Sequence, residues 1–193
     1  ENGGKSWDKV LFVDDQTGAN DIVFSNADPN VVFTSVWENN PGVSGKNSAI
    51  YKSADSGITW KKTVDGIHID ENTGRVGLAT SFQNPKIVYA FIDQRNRADD
   101  AGAGEIYKTI DGGENWVMKV NGIVEKEGIT FRGIAIDPKD PQIIYAAAEL
   151  SSWAWAGQEQ IGREFDKVKG VVYKSTNGGE NWQAVWRGDN LAR

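Results

Sequence analysis

The sequence predicts an all-β protein built from about three copies of one repeat. A tryptophan that closes a turn-forming segment recurs four times, and an Asx-Pro pair recurs three times in phase with it. Between these markers lie short apolar runs that hold no helical period. Two markers that stay in register along the chain are typical of a repeat architecture.

The spacing of the two markers is regular. The turn segments with their tryptophans span Ser53–Trp60, Thr109–Trp116 and Ser175–Trp182, and a shortened copy precedes Trp7. The prolines of the Asx-Pro pairs, at 29, 85 and 141, lie 56 and 56 residues apart. From each proline to the next tryptophan the distances are 31, 31 and 41 residues, so the third repeat carries a ten-residue insertion.

Each repeat is predicted to contain four strands, because runs rich in Val, Ile, Tyr and Phe alternate with Gly, Asn, Asp and Pro clusters. The Asx-Pro pair fits a tight turn between the second and third strands. In the second repeat the predicted strands are Trp60–Val64, Arg75–Ser81, Ile87–Ile92 and Glu105–Lys108. The predicted repeat limits are 7–60, 60–116 and 116–182, followed by the start of an outer strand over 183–193.

We call each turn segment with its tryptophan a box turn. Its glycine permits a positive φ, its hydroxyl and its carboxylate or amide can accept backbone N–H groups, and its tryptophan supplies a large apolar surface to bury. The box positions are Asn2 and Trp7; Ser53, Asp55, Gly57 and Trp60; Thr109, Asp111, Gly113 and Trp116; and Ser175, Asn177, Gly179 and Trp182.

The box turns resemble the Asp-box (BNR) repeats of sialidases, sortilin-like receptors and xyloglucan-cleaving glycoside hydrolases. The resemblance covers nearly the whole chain and is closest to bacterial sortilin-like proteins often labelled glycosyl hydrolases. It implies a β-propeller segment of about three four-stranded blades from an extracellular or cell-surface protein. Because a propeller closes with about four to eight blades, we expect an incomplete ring, completed by the remaining blades of a longer chain or by another copy.

Composition excludes several classes of site and partner. The 193 residues carry a formal charge of −6, no cysteine and one histidine. Disulfides, thiolate chemistry and metal sites built from Cys or His clusters are therefore excluded, and we predict no cofactor and no metal. Dispersed basic residues argue against nucleic-acid binding, and no apolar run approaches the ~18 residues of a membrane span.

Candidate ligand-binding residues lie in the loops opposite the box turns, because the central channel of a propeller is a usual ligand site. The insertion-bearing loop holds two tryptophans beside carboxylates, which suits sugar rings; the alternative is that both tryptophans pack the loop onto its own blade. The candidates are Trp37, Glu38, Arg75, Arg132, Trp153, Trp155, Glu159, Arg163 and Glu164.

Three functions remain open from the sequence. The first is a non-catalytic binding or scaffold module for carbohydrate or protein; the others are a fragment of a glycoside hydrolase and a self-assembling structural protein. Glycosidases need two carboxyls at a defined separation, and the loops offer too many to choose a pair, so we assign no catalytic residue. The carboxylates are Asp14, Asp15, Asp21, Glu38, Asp93, Asp99, Asp100, Glu149, Glu159 and Glu164.

Overall fold

A computed structural model describes residues 3–38, 45–94, 104–123, 129–150 and 169–188, without the side chains of Leu150 and Lys169. These ranges form twelve strands in three four-stranded sheets. Within them no helix is long and apolar enough to cross a membrane.

Every sheet is an antiparallel meander whose strands follow chain order. The first sheet contains β1 (Thr17–Phe24), β2 (Val32–Glu38), β3 (Ala49–Ser53) and β4 (Lys61–Lys62). The second contains β5 (Thr73–Thr80), β6 (Val88–Gln94), β7 (Gly104–Thr109) and β8 (Val117–Met118). The third contains β9 (Ile129–Ile136), β10 (Ile144–Leu150), β11 (Lys169–Ser175) and β12 (Gln183–Arg187).

The sheets are the blades of an incomplete propeller, and the predicted fold class is confirmed. The first strands β1, β5 and β9 contact one another in succession, which places them at the inner edge of the stack. The short strand after each box tryptophan pairs with the strand before the turn, so it completes the preceding sheet rather than opening the next one.

Two apolar cores hold the blades together, one at each blade–blade interface. Blade 1 contributes Phe33 and Ile50 to the first core, where they meet Val76 and Tyr107 of blade 2. The opposite face of blade 2 contributes a second set of apolar side chains, which pack on blade 3. Successive side chains along a strand point to opposite faces of the sheet, so the strands of blade 2 pack against blade 1 on one face and against blade 3 on the other.

The three complete box turns share one set of hydrogen bonds. In the first, the Ser53 hydroxyl donates to Asp55 Oδ1 (2.8 Å) and accepts the Gly57 N–H (2.8 Å), while Asp55 accepts the Thr59 N–H (2.8 Å). The Thr59 hydroxyl and N–H and the Ser53 hydroxyl lower the pKa of Asp55 to about 2. Thr109 and Asn115 hold the pKa of Asp111 below its ordinary value in the same way. Matching bonds occur at Thr109, Gly113 and Asn115, and at Ser175, Gly179 and Asn181.

The box tryptophan joins its blade to the preceding one. Trp116 donates its backbone N–H to Asp65 O, and Trp182 donates to Asn121 O, both at 2.8 Å. The indoles are buried, at 3% and 4% exposure, and donate to Thr63 Oγ1 (3.3 Å) and Lys119 O (2.9 Å).

Trp7 differs from the expected buried box tryptophan, since it is 87% exposed. A box tryptophan is buried by the blade that precedes its own, and the described chain contains no blade before Trp7. Trp60 is partly buried and donates its indole N–H to Gly57 O within its own turn (3.1 Å). Asn2 lies outside the described residues.

Candidate functional site

The inner strands carry the same irregularity at the same end of each blade. The register of β1 with β2 skips Asn20, that of β5 with β6 skips Gly74 and Arg75, and that of β9 with β10 skips Arg132. A β-bulge of this kind bends the strand and redirects a side chain, and it is common beside binding and active sites. In blades 2 and 3 the bulge presents an exposed arginine, Arg75 or Arg132.

The second strands place three polar or aromatic residues at the same end. Trp37, Asp93 and Glu149 are spaced by 56 and 56 residues, and each lies near the end of its strand, in β2, β6 and β10. We call Trp37, Arg75, Asp93, Arg132 and Glu149 the inner-edge cluster.

Contacts across and within the blades hold the two arginines. The Arg75 guanidinium of blade 2 lies 5.8 Å from the ring centroid of Trp37 in blade 1, within cation–π range. Arg132 Nε donates to Glu149 Oε2 at 3.1 Å, with the two side chains 38% and 24% exposed. In the described ranges no carboxylate lies within ion-pair distance of Arg75, whose side chain is exposed.

Asp93 is the buried member of the cluster, with 3% of its surface exposed. One carboxylate oxygen accepts the Phe131 N–H, whereas Oδ1 has no hydrogen-bond partner among the described residues. Burial raises the pKa of Asp93 to about 7, opposed by Arg132 and Arg75 and reinforced by the Glu149 carboxylate. The site therefore combines exposed cations with a carboxyl group that exchanges a proton near neutral pH.

A buried polar network lies next to Asp93 in blade 2. Gln94 is fully buried, and its side-chain amide donates to His68 O (3.1 Å) and to Glu105 Oε2 (3.4 Å). The Tyr107 hydroxyl also donates to Glu105 Oε2, at 2.8 Å. These bonds fix the end of β6 and hence the position of Asp93.

Of the candidate residues, Trp37, Arg75 and Arg132 belong to the inner-edge cluster, whereas Glu38 does not. Glu38 is 4% exposed and accepts the Asn47 N–H at 3.0 Å, so its carboxylate anchors the segment leading to β3. Within the described residues no group of three His, Cys, Asp or Glu is arranged to hold a metal ion. The remaining candidates lie outside the described residues: Trp153, Trp155, Glu159, Arg163 and Glu164.

Asp93 and Glu149 are the members of the cluster that the sequence does not single out, since they are two among ten candidate carboxylates. Their spacing from Trp37 is the signal that distinguishes them. The bulges leave no comparable signal in the sequence.

Comparison with solved structures supports the propeller fold. A GH74 xyloglucanase from Xanthomonas campestris superposes with a TM-score of 0.53 and 18% identity over 86% of this chain and 21% of its own. The phage phi92 endosialidase superposes with a TM-score of 0.56 and 11% identity, over 88% of this chain and 26% of its own. An α-L-arabinofuranosidase from Fusarium graminearum superposes with a TM-score of 0.51 and 15% identity, over 92% of this chain and 50% of its own.

This likeness is one of fold alone, because the identities are low. The chain spans half or less of the length of these three proteins. No protein-family model matches the sequence, and no curated protein matches it.

Proposed function

We propose that the chain is a non-catalytic binding segment of a secreted or cell-surface prokaryotic propeller protein of the Asp-box type, which binds carbohydrate at the inner-edge cluster. The observation that carries the proposal is the repeated bulge, which directs Arg75 and Arg132 to the edge where Trp37, Asp93 and Glu149 end their strands. Sugar hydroxyls both donate and accept hydrogen bonds. They match a site that offers exposed arginine donors beside the partly exposed Glu149 carboxylate.

Protein is the other ligand class that this surface suits, since arginine and tryptophan are enriched among residues that dominate protein interfaces. The extracellular location, the completion of the ring by further blades and the absence of a cofactor belong to the same proposal. They rest on the resemblance of the box turns and on the composition.

A glycan array and a parallel protein-ligand screen test the proposal. We expect a carbohydrate ligand whose affinity falls about tenfold in Arg75→Gln, as the loss of one charge-assisted hydrogen bond predicts. Lys86→Gln, an exposed substitution beside the box turn of blade 2, is the matched control and should bind as the parent does. Equal binding by Arg75→Gln and the parent would place the ligand elsewhere.

A glycoside hydrolase fragment is the second candidate, and the raised pKa of Asp93 beside Glu149 favours it. A general acid in a glycosidase needs such a pKa and a second carboxylate nearby. Hydrolysis of an array ligand by the parent, lost in Asp93→Asn, would support this candidate. Binding without hydrolysis over a long incubation would support the non-catalytic function.

A further inference from the structure

The outer side of the stack contains a polar cavity that the inner-edge cluster does not explain. It lies between the outer strand of blade 1 and the box turn of blade 2, and has a volume of about 470 Å³. We call it the outer groove. Its lining is Lys52, Lys61, Lys62, Thr63, Asp65, Gly112, Gly113, Glu114 and Asn115.

The equivalent position between blades 2 and 3 is closed by its own side chains. There Lys108 Nζ donates to Gly178 O at 2.8 Å, and Lys119 forms an ion pair with Glu180 at 2.6 Å. The residues after the box tryptophan are the apolar Val117 and Met118. Every charged group of that position therefore has a partner.

The outer groove lacks the ion pair and the apolar residues that fill the equivalent position between blades 2 and 3. Thr63 stands where Lys119 stands in the next blade, so Glu114 lacks the lysine that Glu180 pairs with. Lys61 and Lys62 replace Val117 and Met118. These substitutions remove the internal ion pair and give the outer groove one lysine more than the equivalent position, while Asp65 replaces the neutral Asn121.

The lysines of the outer groove are left without acidic partners. In the described part of the chain, no carboxylate lies within ion-pair distance of Lys52, Lys61 or Lys62. Lys52 is half-buried over the Phe33 ring at 5.8 Å and, unlike Lys108, has no carbonyl acceptor there. Three lysines thus line one cavity together with two acidic residues, Asp65 and Glu114, in a chain whose overall charge is −6.

We propose that the outer groove binds a tetrahedral oxyanion carried by a sugar, either a sulfate or a phosphate ester. Ammonium groups arranged around a cavity can each donate to a different oxygen of such an ester, whereas a planar carboxylate is matched better by arginine. The cavity greatly exceeds the roughly 30 Å³ share of one water. The Asn115, Thr63 and Asp65 side chains supply partners for sugar hydroxyls.

The test is an NMR titration at low ionic strength, which limits screening of the lysines. The probes are N-acetylglucosamine 6-sulfate, its 6-phosphate, unmodified N-acetylglucosamine and inorganic sulfate. We expect both esters to shift the Gly112 and Gly113 amide signals, and to do so at concentrations at least tenfold below those needed for the plain sugar or free sulfate. Ester binding no tighter than that of free sulfate would overturn the sugar component, and no shift at these amides would overturn the site.

Matched variants separate the groove from the general charge of the protein. Lys61→Val with Lys62→Met copies blade 2 and should weaken ester binding about tenfold. Lys46→Met with Lys139→Met removes the same charge from exposed positions elsewhere and should leave affinity within about twofold. Equal losses in the first two variants would show a non-specific charge effect and contradict the proposal.

Discussion

Replacement of Gly122 by alanine is expected to lower the free energy of unfolding by about 3 kcal/mol. Gly122 has a φ of +90°, and a Cβ there would lie 2.1 Å from Trp182 O. A left-handed conformation costs a non-glycine residue about 1–2 kcal/mol, and overpacking costs about 1–3 kcal/mol more. Urea unfolding followed by tryptophan fluorescence measures the loss.

The loss at Gly122 reports on how the blades are joined, since the carbonyl that it approaches belongs to the box tryptophan of blade 3. Gly66 has the same relation to Trp116 O and should behave alike. Gly133→Ala is the matched control, because a Cβ there meets nothing within 4 Å. Equal stability of the Gly122→Ala and Gly133→Ala proteins would contradict the proposed role of these turns.

Replacement of Asp93 by asparagine is expected to stabilise the protein by on the order of 4 kcal/mol at pH 8 and to have little effect at pH 4. The pKa of Asp93 is raised to about 7 in the folded state, against about 3.9 for an unfolded aspartate. Each pKa unit corresponds to about 1.36 kcal/mol. The variant keeps the shape of the side chain and removes its ionisation.

The sign follows from proton binding. Between pH 4 and 7 the folded protein retains a proton on Asp93 that the unfolded chain has released, so the parent loses stability as pH rises through this window. Above pH 7 the whole loss of stability caused by ionising the buried Asp93 carboxyl is present. Urea unfolding of both proteins from pH 4 to 8 measures the divergence, with the exposed Asp8→Asn as control. Parallel curves for the parent and Asp93→Asn would contradict the assigned burial of the carboxyl.

A destabilising carboxyl is a mark of a functional position, because activity and binding sites commonly hold strained or desolvated groups. If Asp93→Asn both stabilises the protein and weakens ligand binding, stability and binding conflict at this residue. That combination would connect the energetics of the cluster to the proposed function.

The repeat pattern predicts the fold well, because it is carried by residues whose chemistry is local. Glycine, hydroxyl and Asx groups in the box turns bond within their own segments, so their spacing alone indicates the hairpins. The strand predicted at Arg75–Ser81 appears as β5 over Thr73–Thr80. The strand predicted at Trp60–Val64 is shorter, over Lys61–Lys62, and the Thr63 hydroxyl accepts the Trp116 indole N–H of the next blade.

The site is less predictable because it depends on contacts between blades. Arg75 meets Trp37 across an interface, and Asp93 receives the Phe131 N–H from the next blade. Neither contact follows from the order of residues within one repeat. Glu38 shows the converse, since it lies beside Trp37 in sequence and yet turns to bind Asn47.

The central claim, that ligand binds at the inner-edge cluster, is tested most directly by NMR titration of the parent chain with a ligand from the array. The tryptophan indole and arginine Nε signals are followed together. The structure predicts shifts for Trp37, Arg75 and Arg132, with the box tryptophans Trp116 and Trp182 unchanged. Shifts confined to the box tryptophans, with the arginine signals unmoved, would contradict the claim.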